Sequence, residues 1–193
     1  ILVTSPVSGT VSEVVRGEKR KLLEVKIKAD GQQEYVDFGS HKVSEMTADD
    51  VKELLLKSGL WAGLVQRPYG IVADPSAEPK AIFVSAFSTA PLAASPEFAL
   101  KDDFDNVQAA VNALGKLTRG GVHVSLSIDN YSGSPFHKLE NVIQHIVSGK
   151  HPAGNVGVQI SHISPIMKGE TVWTVSLLLL AAIGKLLNTG RLN

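Results

Sequence analysis

The spacing of apolar residues changes character along the chain. Between Leu22 and Lys28, Leu23, Val25 and Ile27 alternate with Glu24, Lys26 and Lys28, the period of two that marks a half-buried strand. Val11, Val14 and Val15 follow a turn over residues 5–9, and Tyr35, Val36 and Phe38 follow the hairpin signal Ala29-Asp30-Gly31-Gln32. Residues 1–40 are therefore expected to be all-β, with three short strands. Further on the spacing lengthens. Val51, Leu54 and Leu55 form the buried stripe of a helix over residues 47–58. Thr47 can cap its first turn, Asp49 and Asp50 suit its positive end, and Gly59 can end it in the left-handed conformation. A short apolar segment, residues 60–67, stops at Pro68.

Residues 81–87 are almost continuously apolar, which suits a strand buried on both faces of a parallel sheet. Phe104, Val107, Ala110, Val111, Leu114 and Leu117 recur at helical spacing, and Val122-His123-Val124-Ser125-Leu126-Ser127-Ile128 returns to alternation. Residues 139–147 fit a helix or a strand. Residues 149–157 form a loop, residues 158–166 and 172–175 read as strands, and Ser176 opens a buried helix through Leu187 that includes Leu179, with Gly190 past its end. The strand–helix–strand order predicts an α/β domain with parallel pairing.

Composition narrows the function. Apolar residues make up 44% and charged residues 20%, which fits a globular body. Lys+Arg and Asp+Glu stand at 19 each, without the basic footprint of a nucleic-acid binder. The longest mostly apolar run, residues 172–184, is shorter than the roughly 20 residues of a spanning helix. Cysteine is absent, which excludes disulfides, thiolate metal sites and cysteine nucleophiles. The chain opens on Ile1 instead of Met, and it reads as an excised piece of a longer protein.

The common phosphate-loop, dinucleotide, zinc-protease and nucleophile-elbow spacings are missing. None of the six histidines, His41, His123, His137, His145, His151 and His162, sits four residues from another. A metal site would need the fold to assemble them, so no metal-binding and no catalytic residue is assigned. Asp102, Asp103 and Asp105 read as helix N-terminal carboxylates, and Trp61 and Trp173 as core. The segment Ser148-Gly149-Lys150-His151-Pro152-Ala153-Gly154-Asn155-Val156-Gly157 stands out. Its glycines allow close backbone approach, Pro152 stiffens it, and His151 with Lys150 offers polar contact. A binding loop and a structural crossover both fit it.

That segment resembles the S-G-P-H-P-A-G loop of the NqrA family, which belongs to the sodium-translocating NADH:quinone reductases of bacterial membranes. Val172-Trp173, Ala182-Ile183-Gly184-Lys185-Leu186-Leu187, Thr189-Gly190, Ser58-Gly59-Leu60-Trp61, Arg67-Pro68, Ile82-Phe83-Val84, Pro91-Leu92-Ala93 and the opening Ser5-Pro6-Val7-Ser8-Gly9 are similar to the family in the same order. The chain departs at Lys150, where the family usually has proline, and at Ser161-His162-Ile163-Ser164-Pro165.

The resemblance implies an α/β fold class. A Rossmann-like α/β domain, residues 41–193, would follow the β-rich remnant of a biotinyl-lipoyl-like domain, residues 1–40. The Rossmann-like part would be related to the flavin subunit of respiratory complex I and to RnfC. The chain would then belong to a cofactor-free subunit on the cytoplasmic face of the inner membrane. Its partners would be the other subunits, especially the membrane quinone-site subunit, with quinone as substrate of the complex. The flavins and the iron centre would lie in partner subunits. Gly149, His151, Pro152, Ala153 and Gly154 would form a quinone or subunit-contact loop. In flavin-bearing relatives a glycine-rich run follows the first helix. Leu60, Trp61 and Leu64 replace small residues there, so FMN is expected not to bind and Trp61 to fill the vacated space. The alternative is a stand-alone flavin- or nucleotide-binding α/β enzyme.

Overall fold

The computed structural model describes residues 2–192. Ile1 and Asn193, the outer ends of the two expected ranges, lie outside the described residues. Two compact units form, Val3–Asp37 and a larger one made of residues 38–192 with Leu2.

The small unit is an antiparallel ribbon of β1 (Gly9–Arg16) and β2 (Leu22–Ala29). Its turn lies at residues 17–21, where Lys19 and Arg20 take left-handed φ and Gly17 N–H donates to Lys21 O at 2.8 Å. The expected hairpin at residues 29–32 is a turn without a returning strand, because residues 33–42 hold no regular secondary structure. Phe38 instead packs against the large core, and its N–H donates to Gly190 O at 2.8 Å. The β pattern at Tyr35, Val36 and Phe38 thus lost to a tertiary contact. Val11, Leu22, Leu23 and Val25 stay exposed, since a two-stranded ribbon has no second layer to cover them.

The large unit is built on a six-stranded sheet of order β4-β3-β8-β5-β6-β7. Its strands are β3 (Val65–Arg67), β4 (Ile71–Val72), β5 (Ile82–Ser85), β6 (Val122–Ser127), β7 (Val142–Val147) and β8 (Val172–Thr174). Strands β8, β5, β6 and β7 run parallel, and β3 and β4 add an antiparallel edge. The coarse α/β expectation holds. Residues 139–147, readable either way, become a strand over 142–147 because β6 pairs with them.

Helices cover both faces. Helix α1 (Ala48–Lys57) starts with a capping box in which the Thr47 hydroxyl and Asp50 side chain each accept a backbone N–H. Helices α3 (Phe104–Leu114) and α5 (Leu177–Thr189) join α1 on one face, over Ile82, Val84, Val122, Val124 and Trp173. The short helix α2 (Pro96–Ala99) lies in the connection that follows β5. Helix α4 (Val156–Ile163) covers the other face, where Ile160 packs with Ala81, Phe83 and Val172.

The expected strand at residues 158–166 is therefore wrong: it is most of α4. Val156, Gln159, Ile160 and Ile163 carry helical spacing, Asn155 caps the first turn, and a parallel crossover from β7 to β8 demands a helix. The helix opened by Ser176 forms as expected, with Leu180 fully buried and Leu179 only partly so. Among the described residues no helix is long and apolar enough to cross a membrane.

Helix α5 reaches α3 at Gly184, where a Cβ would stand 1.7 Å from Asn106 O. Alanine improves intrinsic helix propensity by about 1 kcal/mol, but here it collides with backbone that cannot swing away. Gly184→Ala should lower the urea-unfolding free energy by about 1–3 kcal/mol, while Leu178→Ala at the exposed face should leave it nearly unchanged. Equilibrium urea denaturation followed by circular dichroism checks both.

Candidate functional site

Strand order reverses between β5 and β8. The chain leaves β5 toward β6 and β7, then returns through α4 to place β8 on the other side of β5. The loops that follow β5 and β8 therefore diverge, leaving a crevice at the carboxyl ends of the strands, where open α/β sheets bind ligands. Here that crevice is a cleft of about 460 Å³. Ser85 and Phe87 come from the β5 end, Thr174 and Ser176 from the β8 end, and Ala94 and Ala99 from the segment carrying α2. Hydroxyl groups interrupt an apolar lining, and no lining residue is charged.

The glycine-rich loop reaches this cleft through Gly154. Gly154 N–H donates to Thr89 Oγ1 at 2.9 Å, and a Cβ at Gly154 would lie 2.5 Å from Thr89 N. Glycine is required there by close approach. Gln159, 3% exposed, donates its Nε2 to Ser85 Oγ and to Ala153 O, both at 2.9 Å. The Ser85 hydroxyl also lies 3.2 Å from Gly154 O. The two loops are thus tied across the crevice floor. Of the sequence-selected residues, Gly154 lines the cleft and Ala153 is anchored beside it. Gly149, His151 and Pro152 are exposed and do not line it. His151 Nδ1 stands 3.4 Å from Thr89 Oγ1, a long contact.

Sequence reasoning missed Ser85, Gln159, Thr174 and Ser176 as site residues. Ser85 was findable in principle: it is the first polar residue after the apolar run of β5, at the carboxyl end of a parallel strand. Gln159 was hidden because its helix was read as a strand.

Trp61 and Trp173 are fully buried and meet edge to face, with centroids 5.3 Å apart at 80°. Trp61 Nε1 donates to Ala73 O at 2.8 Å. Both are core residues, as expected. Among the described residues no three histidine or acidic groups gather as a metal cluster. Two histidines do come together on neighbouring strands: His123 Nδ1 and His145 Nε2 are 2.9 Å apart, and His123 Nε2 lies 3.2 Å from Gly120 O. Burial holds both imidazoles below their ordinary range. For His123 the bond to Gly120 opposes this and the neighbouring ring adds to it.

Residues 46–192 match the family described as the NqrA second alpha/beta domain, and residues 1–30 match the NqrA N-terminal barrel-sandwich hybrid domain. The chain belongs to the NqrA family. It is 39% identical over 191 residues to the NqrA protein of Pseudomonas aeruginosa, named there as the A subunit of the Na(+)-translocating NADH-quinone reductase, and the match covers 98% of this chain and 42% of that protein. The protein of the same name from Histophilus somni is 37% identical over 194 residues, and that of Neisseria meningitidis serogroup A is 35% identical over 195. Each of these two matches covers 100% of this chain and 43% of the relative. The chain thus spans under half the length of these NqrA relatives.

The histidine pair has a consequence for stability. A ring whose folded pKa lies below its unfolded value binds fewer protons when folded, so its contribution is complete above the ordinary value of 6.5 and is lost as pH falls below it. In chelator-treated buffer the urea midpoint should fall between pH 7.5 and 5.5, and His123→Gln should flatten that slope. The carboxylates held low, Asp50, Asp74 and Glu170, start from 3.8 to 4.5 and act below this window.

Proposed function

We propose that this chain is part of the NqrA component of a sodium-translocating NADH:quinone reductase, whose complex couples NADH oxidation and quinone reduction to Na+ export. The observation that carries this reading is the match of essentially the whole chain to relatives bearing that name. In this reading residues 1–40 are the tail of a biotinyl-lipoyl-like domain and residues 41–193 a Rossmann-like domain akin to the flavin subunit of complex I and to RnfC. The NqrA component is peripheral on the cytoplasmic face of the membrane and holds no cofactor in this chain. It contacts the membrane quinone-site subunit, while flavins and the iron centre lie in partner subunits.

The switch-point cleft, with the loop Gly149, His151, Pro152, Ala153 and Gly154 beside it, is the place we assign to a quinone or to subunit contact. An uncharged, apolar cleft with scattered hydroxyls suits a neutral planar ring. A nucleotide phosphate would call for a cation or a free amide nest. The flavoenzyme alternative fits less well, because Trp61 and Leu64 fill the space after the first helix with buried apolar bulk.

The test uses the assembled reductase carrying the substitutions in the intact NqrA protein. Ala94→Trp, at an exposed lining position, and Gly154→Ala, which must push the Thr89 backbone, should each raise KM for quinone about tenfold. NADH oxidation by an artificial acceptor should stay unchanged. A wild-type quinone KM in both variants would remove the cleft from the quinone path. FMN titrated into the folded chain should keep its free fluorescence, and stoichiometric quenching would revive the flavoenzyme reading.

A further inference from the structure

We infer that His123 and His145 form an open two-imidazole site for a divalent transition-metal ion, with Cu2+ favoured over Zn2+. The residues are 22 apart in sequence, and adjacent parallel strands β6 and β7 bring them onto the same sheet face. Helix α4 packs over Ala81, Phe83 and Val172 on that face. The strip at its β7 side remains open: Ile143, which pairs with His123 across the strands, is 46% exposed. Solvent can therefore complete a coordination sphere.

The tautomers follow from the neighbours. A carbonyl only accepts, so His123 Nε2 carries the hydrogen given to Gly120 O, and in the neutral ring its Nδ1 bears a lone pair. That lone pair accepts from His145 Nε2–H at 2.9 Å. The ring centroids are 5.1 Å apart, much farther than the nitrogens, so the rings meet edge to edge through nitrogen and not face to face. His145 Nδ1 has no protein partner among the described residues. The ring can pass its proton there and free Nε2 as a second lone pair, with no net proton released. Two lone pairs then face each other across the place the proton has left, where a metal ion can be bound.

Three features favour the ion. Metal-binding imidazoles usually donate their other N–H to a carbonyl or carboxylate, which fixes the ring, and the Gly120 carbonyl already does this for His123. Burial keeps both rings neutral near pH 7, the ligating form. The general order of affinities for nitrogen sites, in which Cu2+ stands above Zn2+, then selects the metal. Rotation of the partly exposed His145 about χ2, a soft torsion, moves its Nε2 aside and lets an ion sit on the His123 Nδ1 lone pair while the Gly120 bond holds His123 in place. The bound ion would clip edge strand β7 to β6 and so stiffen the start of the glycine-rich loop, which leaves β7 at Ser148.

This proposal departs from the expectation of no metal-binding residue, which rested on the absence of cysteine, of metal motifs and of closely spaced histidines. It does not depend on the quinone assignment. The experiment titrates CuCl2, NiCl2 and ZnCl2 separately into the purified, chelator-treated chain, with equilibrium dialysis for stoichiometry and pulsed EPR for the copper ligands. One Cu2+ per chain with two imidazole nitrogens is expected, held more tightly than Zn2+. His145→Gln should weaken binding at least about tenfold and His162→Gln should not change it. Because His145 lies partly exposed on an edge strand, His145→Gln should keep the wild-type circular dichroism spectrum. If it does not, His145→Phe serves, and it should likewise abolish the rise in Tm that Cu2+ gives the wild-type chain. Copper binding that survives both His145 variants, a one-imidazole spectrum, or no binding at millimolar metal would each overturn the site.

Discussion

Strand β5 has to be sealed on every side. Ile82, Phe83 and Val84 are each at most 1% exposed, so alternate side chains need cover above and below the sheet, and both edges need a hydrogen-bonded neighbour. Ile82 and Val84 point into the large core under α1, α3 and α5, while Phe83 faces the smaller cluster under α4. The parallel partners are β6 on one edge and β8 on the other. Parallel neighbours require crossovers, and crossovers supply the covering helices. The rest of the large unit follows from sealing that one strand.

The crevice is a by-product of the same demand. Because β6 and β8 flank β5 from opposite sides, the segments leaving β5 and β8 turn away from each other and cannot fill the space between them. Helix α4 enters from the side, and its buried Gln159 bridges Ser85 and Ala153. Together with the Ser85–Gly154 and Gly154–Thr89 bonds, this amide ties the β5 end to the glycine-rich loop. The floor of this uncharged cleft is fixed by backbone, hydroxyl and amide contacts instead of by mobile charged side chains.

The small ribbon obeys a different balance. Cross-strand pairs such as Lys26 with Glu13, 2.6 Å apart, link its exposed surface, and such surface pairs contribute little. Val14, Leu23 and Val25 remain substantially open to water. The apolar pattern of that segment exceeds what the two paired strands cover by themselves. The match of residues 1–30 to a barrel-sandwich hybrid domain is consistent with that pattern.

Local chemistry was legible where a residue's role is decided within a few positions. Thr47 with Asp50, Ser176 and Gly59 marked helix ends, the apolar run at residues 81–87 marked a doubly buried strand, and the ordered motifs marked the family. It was misleading where a distant partner decides. Residues 158–166 became helix because a parallel crossover had to be bridged, and Phe38 abandoned a β pattern to meet the end of α5. By itself the sequence determined the α/β class, most element types, the apolar cores and the absence of thiol chemistry, because side-chain period and composition act locally. Only the tertiary structure decided the strand order, the cleft between β5 and β8, and the meeting of His123 with His145. Those depend on which strands become neighbours, and strand neighbours are chosen by burial over the whole domain and not by adjacency along the chain.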